Sequence, residues 1–97
     1  MLYRIAKITY SGANGNNTRG LDRKDGRYPL RINRIVDIDV NDFRIGDIGH
    51  IRYIKDAQGN DYNNTLYTST IISIKATIGT IILETVNSIY VFESIDD

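Results

Sequence analysis

The sequence predicts an all-β domain: a small antiparallel barrel of five to six strands, SH3-like or OB-like, with a long first loop. Residues 66–95 are dense in Ile, Val, Thr, Tyr and Phe, which fit a pleated, half-buried surface. Turn residues interrupt this stretch only at 76–80 and 87–88, which indicates three strands joined by tight reversals. No segment keeps the period of an amphipathic helix. Closure into a barrel would hide strand edges that otherwise pair with other chains.

Length and composition indicate a single β-barrel domain over residues 1–97. A chain of 97 residues buries roughly two-thirds of its unfolded surface, which suffices for one core without metal or disulfide staples. The chain has no Cys, so a disulfide framework, a thiolate zinc site and a Cys nucleophile are excluded. Residues 1–10 lack a continuous apolar run, so we expect neither a signal peptide nor a membrane span, and a cytoplasmic location.

The first strand is expected over residues 2–9, followed by the long loop. Residues 11–28 contain four glycines, three asparagines and a single leucine, which is too little apolar surface to order the segment. We therefore expect residues 11–27 to be the least ordered internal part of the chain. Trypsin is expected to cut first at Arg19, Arg23, Lys24 or Arg27. Loops of this length are usually functional or mobile, so a site is sought here first.

Residues 29–40 carry the clearest strand pattern. Pro29 is expected at the strand entrance, where its missing N–H costs little. From residue 30 to residue 40, apolar and polar side chains alternate, which predicts a half-buried antiparallel strand. The apolar face is expected to carry Leu30, Ile32, Val36, Ile38 and Val40, with Arg34 as its one polar residue, and Arg31 is expected on the opposite face. A turn follows, or one helical turn capped by Asn41 or Asp42.

The remaining elements are a strand over residues 48–55, a hairpin loop over residues 56–65 and the three-strand meander. The hairpin loop is expected to have Gly59 and Asn60 near its tip. The core is expected to be built from eight apolar side chains: Ile32, Val36, Ile38, Ile72, Ile74, Leu83, Val91 and Phe92.

Charge is divided unevenly along the chain. Residues 1–34 have a net charge of +6 and residues 35–97 a net charge of −6, although the total is zero. Such asymmetry can mark an anionic partner. It can also be neutralised within the fold, by Asp37, Asp39, Asp42 and Asp47. Because screening near physiological salt acts over about 8 Å, charges at the tip of a long loop would scarcely feel acids on the barrel. This favours a usable basic surface.

The candidate binding residues lie in the basic segment, residues 19–34: Arg19, Arg23, Lys24, Arg27, Tyr28, Arg31 and Arg34. Basic side chains on a loop beside a β surface are typical of phosphate-backbone binding. Five tyrosines could add base stacking if they are exposed on the same side: Tyr10, Tyr28, Tyr53, Tyr62 and Tyr67. Against nucleic acid stand Asp22 and Asp25 within the cluster and the zero net charge. The sequence therefore favours a binding module for nucleic acid, another anionic partner or a protein.

The last third of the chain carries the segment TSTIISI followed by ETVNSIYVFE. A Thr-Ser-x-apolar strand before a Thr-x-Asn-Ser-x-Tyr hairpin resembles a pattern in small uncharacterised proteins of gut Firmicutes, often carried on phages and mobile elements. The matching residues are Thr68, Ser69, Ile71, Thr85, Asn87, Ser88 and Tyr90. These motifs are structural rather than catalytic, so the resemblance implies a compact β domain and no activity. We expect the Thr and Ser residues of the polar pairs 68–69 and 87–88 to make cross-strand hydrogen bonds, and Asn87 to adopt the left-handed conformation of a two-residue turn.

No pattern in the sequence indicates catalysis, a metal or a cofactor. His50 is the only histidine and has no second His or Cys to assist it. The four aspartates at 37–47 lack the spacing of a calcium loop, and the glycines of the first loop match no phosphate-binding motif. An enzyme is therefore not expected. The alternative to a binding module is a structural or assembly protein of a phage or mobile element that self-associates through an edge strand or a Tyr-rich face.

Overall fold

Within the part of the chain that the structure describes, six antiparallel strands close into one barrel, in which each strand pairs with the next and the last pairs with the first. This computed structural model describes residues 1–12 and 18–95. The strands are β1 (Leu2–Tyr10), β2 (Ile35–Asp37), β3 (Ile48–Lys55), β4 (Asp61–Thr77), β5 (Thr80–Thr85) and β6 (Ser88–Ser94). A short helix, α1 (Tyr28–Arg31), precedes β2, and a 3-10 turn (Val40–Asp42) follows it. The all-β antiparallel class is confirmed, and the SH3-like or OB-like assignment stays a prediction.

Strands β4, β5 and β6 form the meander that the sequence predicted. β5 lies between its neighbours, so Leu83 pairs with Ile74 on one side and with Tyr90 on the other. The first reversal, at Ile78 and Gly79, needs a backbone conformation that favours glycine, and Gly79 has a φ of 82°. Alternating burial along β5 confirms that this strand has one face towards the core.

The core fills the barrel, and half of the predicted core residues are buried in it. Val36, Ile38, Leu83 and Phe92 are buried, while Ile32, Ile74 and Val91 are partly buried. The sequence reasoning missed nine core side chains, most of them on β1, β3 and β4: Ile5, Ile8, Phe43, Ile51, Tyr53, Leu66, Ile71, Ile81 and Tyr90.

The prediction of Ile72 as a core residue is wrong. Ile72 is 48% exposed, whereas Ile71 is fully buried. The pairing of β4 with β5 shifts register between Ile71 and Ser73, so Ile72 is the extra residue of a β-bulge. A bulge reverses which side chains face the core, and simple alternation along the sequence cannot reveal it.

The predicted strand over residues 30–40 is wrong except at β2. Pro29 lies in the first turn of α1, where its fixed φ and missing N–H suit a helix start rather than a strand entrance. Asn33, at a φ of 71°, follows the helix, and Leu30 is 63% exposed. The following 3-10 turn is capped by Asp39, whose carboxylate accepts from the Asn41 N–H at 3.0 Å, and not by Asn41 or Asp42.

The predicted loop over residues 56–65 is shorter than expected, because β4 already begins at Asp61. The Asp56 carboxylate closes the turn by accepting from the backbone N–H groups of Gln58 (3.0 Å) and Asn60 (2.9 Å). These hydrogen bonds lower the pKa of Asp56. Residues 61–65 therefore belong to a strand, and Tyr62, Asn64 and Thr65 line a cleft between this strand and α1.

The described part of the long first loop, residues 18–27, packs against β1. The Tyr10 N–H donates to the Leu21 carbonyl, and the Arg23 N–H donates to the Ile8 carbonyl, both at 2.9 Å. Leu21 itself is 57% exposed, so polar contacts rather than apolar burial hold this part of the segment. Apolar area alone, on which the expectation of low order rested, does not include these hydrogen bonds. Residues 13–17, which belong to the segment expected to be least ordered, lie outside the described residues.

The polar residues of the meander form a hydrogen-bond network centred on Thr85, which is fully buried. The Thr85 hydroxyl donates to the Ser88 carbonyl (3.0 Å) and accepts from the Ser88 N–H (3.1 Å) and the Ser69 hydroxyl (2.8 Å). The Ser69 hydroxyl also accepts from the Asn87 N–H at 3.2 Å. The cross-strand hydrogen bonds expected of these polar pairs are confirmed, and they fix the β5–β6 turn against β4. The left-handed conformation expected at Asn87 is wrong, because Asn33 is the only non-glycine residue with a positive φ among the described residues.

Replacing Thr85 with Val is expected to lower the free energy of unfolding by about 1–3 kcal/mol, because it leaves buried polar groups without partners. Denaturant unfolding monitored by circular dichroism measures the change. Thr85→Ser keeps the hydroxyl and loses one methyl group, so it is the matched control, with an expected cost of about 1 kcal/mol. Equal stability of the Val variant and the wild type would show that the network contributes nothing.

Candidate anion-binding cleft

Three arginines converge on a cleft between α1 and the first half of β4. Arg27 and Arg31 are four residues apart across α1, a spacing that places side chains on one helical face. Arg34 reaches the same cleft after the turn at Asn33. The cleft has a volume of about 260 Å³, and we call it the arginine cleft. It is lined by Arg27, Leu30, Arg31, Arg34, Tyr53, Tyr62, Asn64, Thr65, Leu66 and Tyr67.

Arg34 lies over two tyrosine rings of the arginine cleft. Its guanidinium carbon is 5.0 Å from the Tyr53 ring centroid and 4.8 Å from that of Tyr62. The two rings are themselves 5.1 Å apart. In the same way, Arg31 lies 4.7 Å from the ring of Tyr28. Cation–π contacts of this kind hold a guanidinium in place while leaving N–H groups available to a ligand.

Tyr53, one of the residues that line the cleft, carries a buried hydroxyl without a partner. Tyr53 is 3% exposed, and within the described part of the chain no group forms a hydrogen bond with its hydroxyl. Burial raises the pKa of Tyr53, and the nearby Arg34 and Arg31 oppose this in part. The hydroxyl is therefore protonated at neutral pH. Buried polar groups normally have partners, so this hydroxyl is an exception among the described residues.

The arginine cleft is electrostatically uncompensated within residues 1–12 and 18–95. Over these residues, none of Arg27, Arg31 and Arg34 forms an ion pair, and no Asp or Glu lines the cleft. Two of the four aspartates expected to neutralise the basic segment make other contacts: Asp37 pairs with the N-terminal ammonium at 2.8 Å and Asp39 caps the 3-10 turn. The cleft thus concentrates three positive charges on one face.

Arg19 and Arg23, also predicted as binding residues, are engaged within the fold. Arg19 makes two hydrogen bonds of 2.7 Å to the Glu84 carboxylate and so lowers the pKa of Glu84. Arg23 pairs with Asp25 at 2.6 Å, and its side chain is only 13% exposed. These two charges are compensated by neighbours, so they add little to an external field.

Arg23 also orders the tyrosines around it. Its guanidinium carbon lies 3.9 Å from the ring centroid of Tyr28 and 4.7 Å from that of Tyr10. Its Nη1 donates to the Ser88 hydroxyl at 2.9 Å. Tyr28 is therefore placed between Arg23 and Arg31 as a support for the arginine cleft, and it is not a free stacking surface.

Lys24 lies outside the arginine cleft. It lines a larger groove of about 550 Å³ beside β1, together with Ala6, Lys7, Ile8, Asp22, Arg23, Pro29 and Ile32. This groove is larger but less distinctive, because it mixes charges of both signs over an apolar floor. Of the seven predicted binding residues, the structure therefore brings together Arg27, Arg31 and Arg34.

Sequence reasoning missed Asn64 and did not separate Tyr67 from the other tyrosines. Tyr67 is 62% exposed at the cleft, whereas Tyr10, Tyr28, Tyr53 and Tyr62 are at least partly buried. Helical spacing relates only Arg27 and Arg31, and Arg34 joins them through the turn at Asn33, so no local sequence signal located the cleft.

A separate cleft of about 30 Å³, near the volume of one water molecule, is lined by His50 and by three of the four aspartates, Asp37, Asp39 and Asp42. His50 is exposed and packs against Tyr67, with ring centroids 5.0 Å apart and planes at 70°. In the part of the chain that the structure describes, no group of three or more His, Asp or Glu side chains is placed to hold a metal ion.

The pKa of Asp25 is lowered from 3.8 to about 2, chiefly by hydrogen bonds from Arg23. A carboxylate with a lowered pKa stabilises the fold above its ordinary pKa, and this contribution disappears as the pH falls towards the lowered value. We therefore expect Asp25→Asn to be less stable than the wild type at neutral pH and to lose less stability between pH 4 and pH 2. Denaturant unfolding at several pH values measures this. Asp22→Asn controls for the loss of an acid on the same loop, and an unchanged acid slope in Asp25→Asn would refute the assignment.

Over the described residues, no helix has both the length and the apolar character needed to cross a membrane. Comparisons of the chain with family models, with curated proteins and with solved structures found no match, so the resemblance to Firmicutes proteins rests on the sequence motifs alone.

Proposed function

We propose that this domain is a non-enzymatic binding module that holds an anionic partner in the arginine cleft. The observation that supports this most strongly is the convergence of Arg27, Arg31 and Arg34 on one cleft that no described acid lines. Guanidinium groups match the oxygens of phosphates and carboxylates and form strong, charge-assisted hydrogen bonds with them.

The stacked arrangement of the arginines favours binding. A free arginine loses rotamer freedom when it grips a ligand, which weakens affinity. Arg31 and Arg34 already lie against tyrosine rings, at 4.7 and 4.8 Å. Part of this ordering cost is therefore met on folding, before the ligand arrives.

Three guanidinium groups around one recess suit a tetrahedral phosphate, which presents several acceptor oxygens.

Thermal unfolding with inorganic polyphosphate tests the proposal. A ligand that binds only the folded state stabilises it, so we expect the melting temperature to rise on the order of 10 °C at about one hundred times Kd. The combined variant Arg27→Gln, Arg31→Gln, Arg34→Gln should show little of this rise. The combined variant Lys7→Gln, Lys24→Gln, Lys75→Gln removes the same charge from exposed sites outside the cleft and should keep most of it.

Two outcomes would overturn the proposal: no rise for the wild type at low salt, or equal loss of the rise in both combined variants. Because the cleft arginines contact tyrosines, Arg34→Lys provides a milder variant that keeps the charge. It should bind polyphosphate more weakly than the wild type, since lysine lacks the planar fork of arginine. The cytoplasmic location and the absence of catalysis stay predictions.

A further inference from the structure

Resting on the proposed function, we infer that the anionic partner is single-stranded nucleic acid, with one phosphate among the cleft arginines and an adjacent base stacked on Tyr67. The observation behind it is that one cleft carries both a recess lined by three arginines and the exposed ring of Tyr67. Single-strand binders combine these two features, because the backbone needs positive charge and unpaired bases need a flat apolar surface.

Tyr67 is the tyrosine best placed to receive a base. It is 62% exposed, and its ring packs edge-on against His50 at 5.0 Å. This contact restrains the ring without burying it. Tyr53 is nearly fully buried, and Tyr62 is partly buried beneath the Arg34 guanidinium. The stacking role that the sequence distributed over five tyrosines is thus assigned to one.

The phosphate is assigned to the opposite side of the cleft. Arg27 and Arg31 come from α1, and Arg34 lies beside them, while Tyr67 projects from β4. A nucleotide in this cleft would have its phosphate towards the helix and its base towards the strand. A recess of about 260 Å³ holds one phosphate with part of its sugar, and it cannot admit the width of a duplex.

A duplex is disfavoured for a second reason, which is chemical. Its bases are stacked on one another and paired, so they offer no free face to Tyr67 without unstacking. A duplex would contact the arginines through its phosphates but would gain no stacking energy from the Tyr67 ring. The inference therefore predicts a preference for single strands over both a duplex and a phosphate polymer without bases.

Fluorescence anisotropy with a labelled oligothymidylate tests the inference, with unlabelled duplex and inorganic polyphosphate as competitors at equal phosphate concentration. Replacing Tyr67 with Ala should weaken single-strand binding about tenfold or more, since base–aromatic stacking contributes on that scale. Tyr67→Phe keeps the ring and should bind as the wild type does. Polyphosphate affinity should be the same in all three proteins.

The outcomes separate this inference from the proposed function. Polyphosphate binding that requires the cleft arginines, together with an unchanged single-strand affinity in Tyr67→Ala, would overturn the single-strand inference and leave the anion cleft standing. The single-strand inference would also be overturned if duplex or polyphosphate displaced the labelled strand as effectively as unlabelled oligothymidylate does. If no phosphate polymer binds, both the proposed function and the inference fail.

Discussion

Replacing Phe92 with Ala is expected to lower the free energy of unfolding by about 3–5 kcal/mol, the usual cost of removing a large buried ring. Phe92 is fully buried and lies between Ile5 of β1 and Ile81 of β5, where the barrel closes. Its ring is also stacked with that of Tyr90, with centroids 6.0 Å apart. The cavity would thus form at the seam between the first and last strands. Denaturant unfolding at neutral pH measures the loss.

Ile72→Ala is the informative control, because the sequence predicted Ile72 as a core residue too. The structure places it at a bulge with 48% exposure, so we expect a cost of about 1 kcal/mol or less. A cost for Ile72→Ala equal to that for Phe92→Ala would contradict the register of β4.

The largest expected effect on binding comes from the combined Arg27→Gln, Arg31→Gln, Arg34→Gln variant. We expect its affinity for oligothymidylate at low salt to fall by roughly 100-fold or more, since hydrogen bonds to charged groups contribute about 1.5–3 kcal/mol each. For a single strand, the logarithm of the binding constant falls by about 0.7 for each tenfold rise in salt and for each phosphate neutralised. Loss of three contacts should therefore flatten the salt slope by about two units, measured by anisotropy over a salt series.

The charge-matched variant Lys7→Gln, Lys24→Gln, Lys75→Gln isolates the role of the cleft. All three lysines are exposed, and none lines the arginine cleft. The lysine variant should lose less affinity for oligothymidylate than the triple arginine variant and should keep most of the wild-type salt slope. If the salt slope flattened equally in both variants, binding would depend on net charge alone and not on the arginine cleft.

The meander was predictable because its strands and turns give strong local signals. β-branched residues run through β4 to β6, and Gly79 marks the first reversal. The segment around α1 was not predictable in the same way. Its four residues are too few to show a helical period, and the alternation after Leu30 favoured a strand. The position of Pro29 fits either element, so tertiary context decides between them.

The composition of the site could be predicted from the sequence, but its geometry could not. The sequence indicated arginines and tyrosines in the right segment, and a strand interpretation then placed Arg31 and Arg34 on opposite faces. The helix and the turn at Asn33 bring both to one cleft instead. The pairing of Arg23 with Asp25 is local and could have been anticipated. The Arg19–Glu84 pair depends on long-range packing and could not.

The most direct test of the arginine cleft is a nuclear magnetic resonance titration of the labelled wild-type protein with oligothymidylate. The account predicts that the largest amide and arginine side-chain shifts fall on Arg27, Arg31 and Arg34 and on residues 64–67 of β4. The exposed hairpin at Ile78 and Gly79 should be unaffected. Shifts concentrated along the β1 groove at Lys7 and Lys24, or no shifts at low salt, would contradict it.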